Sequence, residues 1–397
     1  MKKFLAVILA LAMVMALAAC GSKEETPAPT TEPAPATEPA PAAEPTPAAE
    51  PAAEALRVAM ITDYGDITDQ SFNQTTYEAA KSWSEANGAD FTYFKPASDS
   101  DDDRVAMIEK AIDEGYGVIV MPGYAFAPAI AATVNEYSDV IFIALDVSEY
   151  DLNSAGLTEF PANLYSAVYQ EELCGYMAGY AAVKLGYNKL GFLGGMAVPA
   201  VVRYGYGFVQ GADAAAAADG KTDVSIKYAY GNQFYGDGDI TAAMDTWYAD
   251  GTEVVFACGG GIFTSAAEAA AKVGGKVIGV DVDQAGIIDG SYGAGMTVTS
   301  AMKGLAATVN TLLTAVNDGT FEGGKVENLG LVSANPEENY VQIPMGSTQW
   351  SDSFGQADYE ALVADMFAGK VTVDNDITKT AADFATVITV SDLGNIK

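Results

Sequence analysis

The chain has 397 residues, with 53 Asp and Glu against 20 Lys and Arg, a net charge of −33, and no histidine. So acidic a surface disfavours nucleic acid and anionic lipid as partners and serves solubility. Without imidazole no Ser/His or Cys/His arrangement can form, and neither a metal site nor a cofactor is expected.

Residues 1–19, MKKFLAVILALAMVMALAA, carry Lys2 and Lys3 ahead of an apolar run too short for a membrane span, which is the pattern of a signal peptide. The run closes on Leu17-Ala18-Ala19-Cys20-Gly21, a match to the lipobox at which bacterial lipoproteins are cleaved and acylated on the cysteine. Cys20 is thus the expected lipidation site, and the expected anchor is acyl chains on the extracytoplasmic face of the cell membrane. Residues 20–55 hold nine of the sixteen prolines and no apolar side chain larger than Ala after Cys20, so they read as an extended tether. The two other cysteines, Cys174 and Cys258, sit in apolar contexts and read as buried free thiols.

Beyond the tether the chain alternates apolar runs with amphipathic helices, the pattern of a parallel sheet covered on both faces. The strands are expected at 57–63, 91–96, 117–123 and 140–146, with helices at 70–88, 101–115 and 125–136. The rhythm then restarts: a long helix at 163–185, the strand KLGFLGG, a helix through RYGYGFVQGADAAAAA, and the strands VSIKYAYG, EVVFACGG and KVIGVDVD with helices between them. MTVTSAMKGLAATVNTLL reads as a strand entering a helix, followed by two later strands and the helix FGQADYEALVADMFAG. These are two similar lobes, with the first expected over 57–158 and 285–325 and the second over 159–284 and 326–397. Hinges are expected near 157–162 and 282–292, with a third near the late strands.

Ligands collect beyond the carboxyl ends of parallel strands. Those ends carry Asp63-Tyr64-Gly65, Pro122-Gly123-Tyr124, Asp146, Gly194-Gly195, Gly259-Gly260-Gly261-Ile262-Phe263, Asp281-Val282-Asp283-Gln284 and Lys303. Carboxylates, aromatics and glycines on two facing lobes suit a small polar ligand with a flat face. Each has a plainer reading as well: Asp63 and Asp146 can cap turns, Phe72 can staple a helix start, Asn73 can satisfy loop backbone, and Lys303 can pair with any acid. Asp281, flanked by two valines, needs a partner if buried. The run DSDDDR lacks the glycine and final acid of a calcium loop, and the glycine pairs lack the lysine of a phosphate loop.

The segments D-Y-G-D-I-T-D-Q-S-F-N-Q at 63–74, G-F-x-x-G at 207–211 and G-V-D-V-D-Q at 279–284 resemble the basic membrane protein (PnrA-like) family over about residues 57–345. The resemblance implies a type I periplasmic-binding-protein fold and a lipid-anchored receptor that hands a purine nucleoside to an ABC transporter permease. A monomer is the default for such a receptor; the missing histidine and the lipid anchor with its tether speak against an enzyme, for which an Asp- or Glu-based hydrolase is the alternative. By motif, Asp63 and Asp146 would face the base edge, Phe72 would stack on it, and Asp281 with Lys303 would hold sugar hydroxyls. Tyr64 and Asn73 complete the expected site. Phe263 is the expected second stacking ring, in competition with Tyr124, Tyr204 and Phe234. The family's G-G-T-G-type loop is replaced here by Gly259-Gly260-Gly261-Ile262-Phe263, so its contacts do not carry over. A sugar or other small polar ligand in the same fold is the alternative.

Overall fold

A computed structural model describes residues 55–397; the expected signal segment 1–19, the expected lipidation site Cys20 and the expected tether up to residue 54 lie outside the described residues. The strands in chain order are β1 Arg57–Ile61, β2 Asp90–Phe94, β3 Val118–Pro122, β4 Ile141–Leu145, β5 Leu164–Tyr169, β6 Lys189–Gly194 and β7 Ser225–Tyr230. They continue as β8 Val254–Cys258, β9 Lys276–Asp281, β10 Thr297–Lys303, β11 Lys325–Leu329, β12 Val341–Gln342 and β13 Thr389–Asn395. One sheet has the order β11-β5-β4-β3-β1-β2 and the other β12-β10-β9-β8-β6-β7-β13. Every pairing is parallel except that of β10 with β12.

The continuous apolar runs have a simple cause. Along β3, Val118 and Val120 enter one core cluster and Ile119 and Met121 another, so both faces of the strand need apolar side chains. In β8 the same alternation sends Val254 and Phe256 to one cluster and Val255 and Ala257 to the other. This is the α/β, two-lobed, type I arrangement that the sequence leads one to expect.

The boundaries between lobes differ from expectation. β5 lies in the first sheet, so the chain crosses to the second lobe at Gln170, beyond the hinge expected near 157–162. Residues 163–185 read as a single helix, but their first part is a strand and only Glu171–Lys184 is helical. LYSAVY is buried on both faces, and a fully buried run carries no period by which to tell strand from helix. β10 likewise belongs to the second sheet, so the return crossing is at Gly304 and not at 282–292. The helix Leu305–Asn317 then packs on the first-lobe helix Phe72–Asn87, where Trp83 Nε1 donates to Thr314 Oγ1 at 2.9 Å. β11 pairs with β5, which moves the last crossing to Gly330. The first and last crossings are bonded directly, Gln170 N to Leu329 O at 2.9 Å, and Tyr340 links the last to the second, donating through its N to Gly330 O at 3.1 Å and accepting from Gly304 N at 2.7 Å.

The G-F-x-x-G segment has a packing role. Helices Glu171–Lys184 and Pro199–Asp219 cross with glycines at the contact on both sides. A Cβ on Gly207 would meet the Glu172 carbonyl oxygen at 2.0 Å, and one on Gly211 the Tyr176 oxygen at 2.0 Å. From the other helix, Gly175 and Gly179 would strike the Tyr204 and Phe208 oxygens at 2.2 and 2.1 Å. These obstacles are backbone, so the helices must separate to admit a methyl. Gly211→Ala is therefore expected to destabilise by about 1–3 kcal/mol despite the better helix propensity of Ala. An unchanged urea midpoint would mean that the helices are not locked at this distance.

Candidate functional site

A cavity of about 660 Å³ opens between the lobes at the carboxyl ends of the strands. Among the described residues four non-glycine residues have left-handed backbone: Gln70 (φ 57°), Asp146 (62°), Asn232 (59°) and Asp281 (65°). All four border this cavity. Left-handed backbone is unfavourable for a side chain bearing Cβ, least so for Asn and Asp, and such conformations concentrate at ligand sites. Asp146 follows β4 and Asp281 ends β9, so corresponding strands of the two lobes present their carboxylates in the same unusual way.

Both carboxylates turn to Lys303 at the end of β10. Its Nζ donates to Asp146 Oδ2 at 2.6 Å and to Glu171 Oε1 at 3.3 Å, and lies 3.8 Å from Asp281 Oδ1. The ammonium also stands 4.9 Å from the ring centre of Phe72, with Tyr169 at 5.4 Å and Tyr204 at 5.6 Å. Burial favours a neutral lysine, but the three carboxylates outweigh it and hold Lys303 protonated well above its ordinary range. Burial pushes Glu171 up, and Arg203 at 2.7 Å together with Lys303 more than reverses that. Asp146 is pushed up to about 6, first by burial and then by its acidic neighbours, against the pull of Lys303.

Not every acceptor is used. Asp146 Oδ1 and Asn73 Oδ1 are buried and have no hydrogen-bond partner, and both residues line the cavity. Asn73 gives one N–H of its Nδ2 to Asp69 Oδ2 at 3.1 Å, which fixes the amide and leaves its carbonyl oxygen without a partner. Asp63 does cap its loop, with Oδ1 accepting from Tyr64 N at 2.6 Å and Gly65 N at 2.8 Å. Its Oδ2 points at Gly123, where an added Cβ would sit 2.5 Å away. Burial raises the Asp63 carboxyl, and those two amides only partly restore it. Asp69 organises the opening segment by accepting from the backbone of Ser71, Asn73 and Gln74.

The lobes also touch directly across the cleft. Ser71 Oγ donates to Asp281 Oδ2 at 2.6 Å, Gln284 Nε2 to Gln70 O at 3.0 Å, and Tyr64 OH to Met196 Sδ at 3.3 Å. Tyr204 OH donates to the other Asp281 oxygen at 3.3 Å.

Of the expected residues, Asp63, Tyr64, Phe72, Asn73, Asp146, Asp281 and Lys303 line the cavity. Phe263 does not. It opens the helix Phe263–Val273 and is buried in the outer core of the second lobe with Ile262 and Ala266. Phe234, one of its three rivals, lines the cleft from the second lobe. A Cβ on Gly195 would meet its ring at 2.4 Å and one on Gly259 at 2.9 Å, so both glycines make room for this phenylalanine. The expected grouping also shifts, since Asp146 stands with Asp281 and Lys303 and not with Asp63. Glu171 and Arg203 were not anticipated. The available signals were an acidic pair heading an otherwise apolar helix and the scarcity of arginine, three in the whole chain.

A family model described as ABC transporter substrate-binding protein PnrA-like matches residues 56–353. The chain belongs to this family. Among its relatives is the ABC transporter nucleoside-binding protein BmpA of Lactococcus lactis subsp. cremoris, 27% identical over 80% of this chain and 89% of that protein. The fold is shared with an ABC transporter solute-binding protein of Conexibacter woesei, at TM-score 0.63 and 23% identity over 81% of this chain and 99% of that one. A second such structure, from Aeropyrum pernix, gives TM-score 0.61 and 20% identity over 83% and 90%. As a PnrA-like protein the chain is an extracytoplasmic substrate-binding component of an ABC transporter, and none of its described helices is long and apolar enough to cross a membrane.

In this PnrA-like cleft Lys303→Met would leave three buried carboxylates without their common cation, at an expected cost of about 3–5 kcal/mol near pH 7. Burial already raises the Asp146 carboxyl against the pull of Lys303, so without that pull its folded-state pKa lies further above the unfolded one, and the folded variant takes up a proton and recovers stability as the pH falls toward about 5. Denaturation curves at the two pH values test this; an equal loss at both would place the carboxylates in contact with water.

Proposed function

We propose that the protein captures a purine nucleoside in the interlobe cleft and delivers it to its ABC transporter permease. The observation that carries this reading is an aromatic ring from each lobe, Phe72 and Phe234, beside the unpartnered acceptors Asp146 Oδ1 and Asn73 Oδ1. A flat base suits the rings, each stacking contact being worth about 1–3 kcal/mol in single-stranded nucleic acid complexes. Carboxylate and amide oxygens only accept, so the ligand must supply donors, as ring N–H, exocyclic amino and sugar hydroxyl groups do. Asp63 and Asn73 are assigned to the base edge, with Tyr64 beside them. Asp146, Asp281 and Lys303 are assigned to the ribose. Both cations at this end are already engaged by carboxylates, which favours a nucleoside over its phosphates.

Three further points support the reading over a sugar receptor. None of the three tryptophans lines the cavity. One relative is named for nucleoside binding. The sequence also supplies the signal segment, Cys20 and tether of a protein held by lipid outside the membrane, where a monomeric receptor would meet its permease.

Denaturing the purified protein and identifying the released small molecule by mass spectrometry, followed by calorimetric titration, tests the proposal. A purine nucleoside is expected, with Phe72→Ala or Phe234→Ala each weakening it by about 1–3 kcal/mol. Recovery of a sugar or amino acid, with no heat from any nucleoside, would remove the function and leave the fold. The pH dependence is a second test. Binding to ionised Asp146 competes with its proton, so the association constant should be level above about pH 7 and fall up to tenfold per unit below about 6. Asp146→Asn, whose side chain also tolerates left-handed backbone, should bind more weakly and lose that fall.

A further inference from the structure

The matched family region ends at residue 353, and the chain continues along the second lobe. The helix Gln356–Phe367 is followed by a segment laid on the helix Pro199–Asp219. Tyr206 OH donates to Lys379 O at 2.6 Å, and the Asp213 carboxylate receives Thr386 N and Val387 N, both at 2.8 Å, and Thr386 Oγ1 at 2.6 Å. So anchored, β13 pairs with β7, from Thr389 opposite Ser225 to Asn395 opposite Tyr230.

Tyr230 is the last residue of β7, and the loop that follows carries Asn232, Phe234 and Tyr235 into the cavity lining. The strap holds that loop at both ends. Ile396 N donates to Tyr230 O at 2.8 Å, and the Ile396 side chain packs on the outer core of the second lobe. Lys397 Nζ reaches Gln233 Oε1 at 3.4 Å and forms an ion pair with Asp237, whose carboxylate caps the next helix. Gln233 itself donates to Asp237 Oδ2 at 2.9 Å, which closes the loop on itself.

We propose that residues 389–397 are a positioning strap for the ligand cleft, fixing the loop 231–237 so that Phe234 is held ready on its glycine seat before ligand arrives. Preorganising a contact ring chiefly slows dissociation. The identity of the ligand rests on the function proposed above; the strap itself does not.

Two variants test it, one lacking 389–397 and one carrying Ile396→Asp, which keeps the strand should the deletion fail to fold. Hydrogen exchange of the ligand-free protein is the first readout. Amides of 231–237 should exchange about tenfold faster, while β8 and β9 keep their protection. Unchanged exchange in the loop, or an equal rise throughout the second sheet, would overturn the proposal. Dissociation of adenosine or guanosine, measured by stopped flow, should quicken about tenfold; an unchanged rate beside a loosened loop would also overturn it. Failure of the unaltered protein to bind any nucleoside would count against the proposed ligand, and loop exchange would still decide the strap.

Discussion

The lobes meet around one buried ammonium. Lys303 is contributed by the second sheet, Asp146 by the first, and Glu171 by the helix that begins where the chain first crosses between them. Two buried carboxylates and a third at 3.8 Å exceed what one lysine can neutralise, so the arrangement depends on Arg203 at Glu171. Arg203 in turn reaches Glu171 because the two helices approach with no side chain between their backbones at Gly175, Gly179, Gly207 and Gly211. A glycine contact with no view of the ligand cleft therefore sets the charge balance inside it.

A rotation that opened the cleft would turn about the three crossings, two of them bonded directly and the third tied to them through Tyr340. The same rotation would separate Lys303 from Asp146, Ser71 from Asp281, and Gln284 from Gln70. Each of these polar groups would regain water on separation, which would offset the lost bonds. Of the six residues in these three pairs, Lys303, Asp146 and Asp281 are also assigned to the proposed ligand, whose donors would meet acceptors the protein leaves idle.

Much of this was readable in the sequence, and for identifiable reasons. Parallel strands buried on both faces announce themselves as apolar runs, and their last residues must stand at the cleft; that logic brought out Asp63, Asp146, Asp281 and Lys303. It failed at β5, where burial on both faces erased the period, and the missed strand displaced the first hinge by about one strand length. The second hinge was misplaced because β10 sits at a strand-to-helix joint, and which sheet takes a strand is a tertiary matter. Glu171 escaped notice because its partners, Arg203 and Lys303, are distant in sequence.

The stacking ring shows where proximity in sequence misleads. Gly259-Gly260-Gly261 looks like a loop shaped for ligand, which makes Phe263, two residues on, the natural candidate. Yet Gly259 and Gly260 have positive φ, and the turn they make sends Ile262 and Phe263 into the outer core. The glycines instead leave a hollow whose occupant arrives from another loop, the one after β7: the Phe234 ring abuts Gly259 and Gly195, and its carbonyl oxygen accepts from Gly261 N at 2.8 Å. A missing side chain in one segment is thus explained by a bulky one in another, so the glycine run marks the place of the ring without naming it.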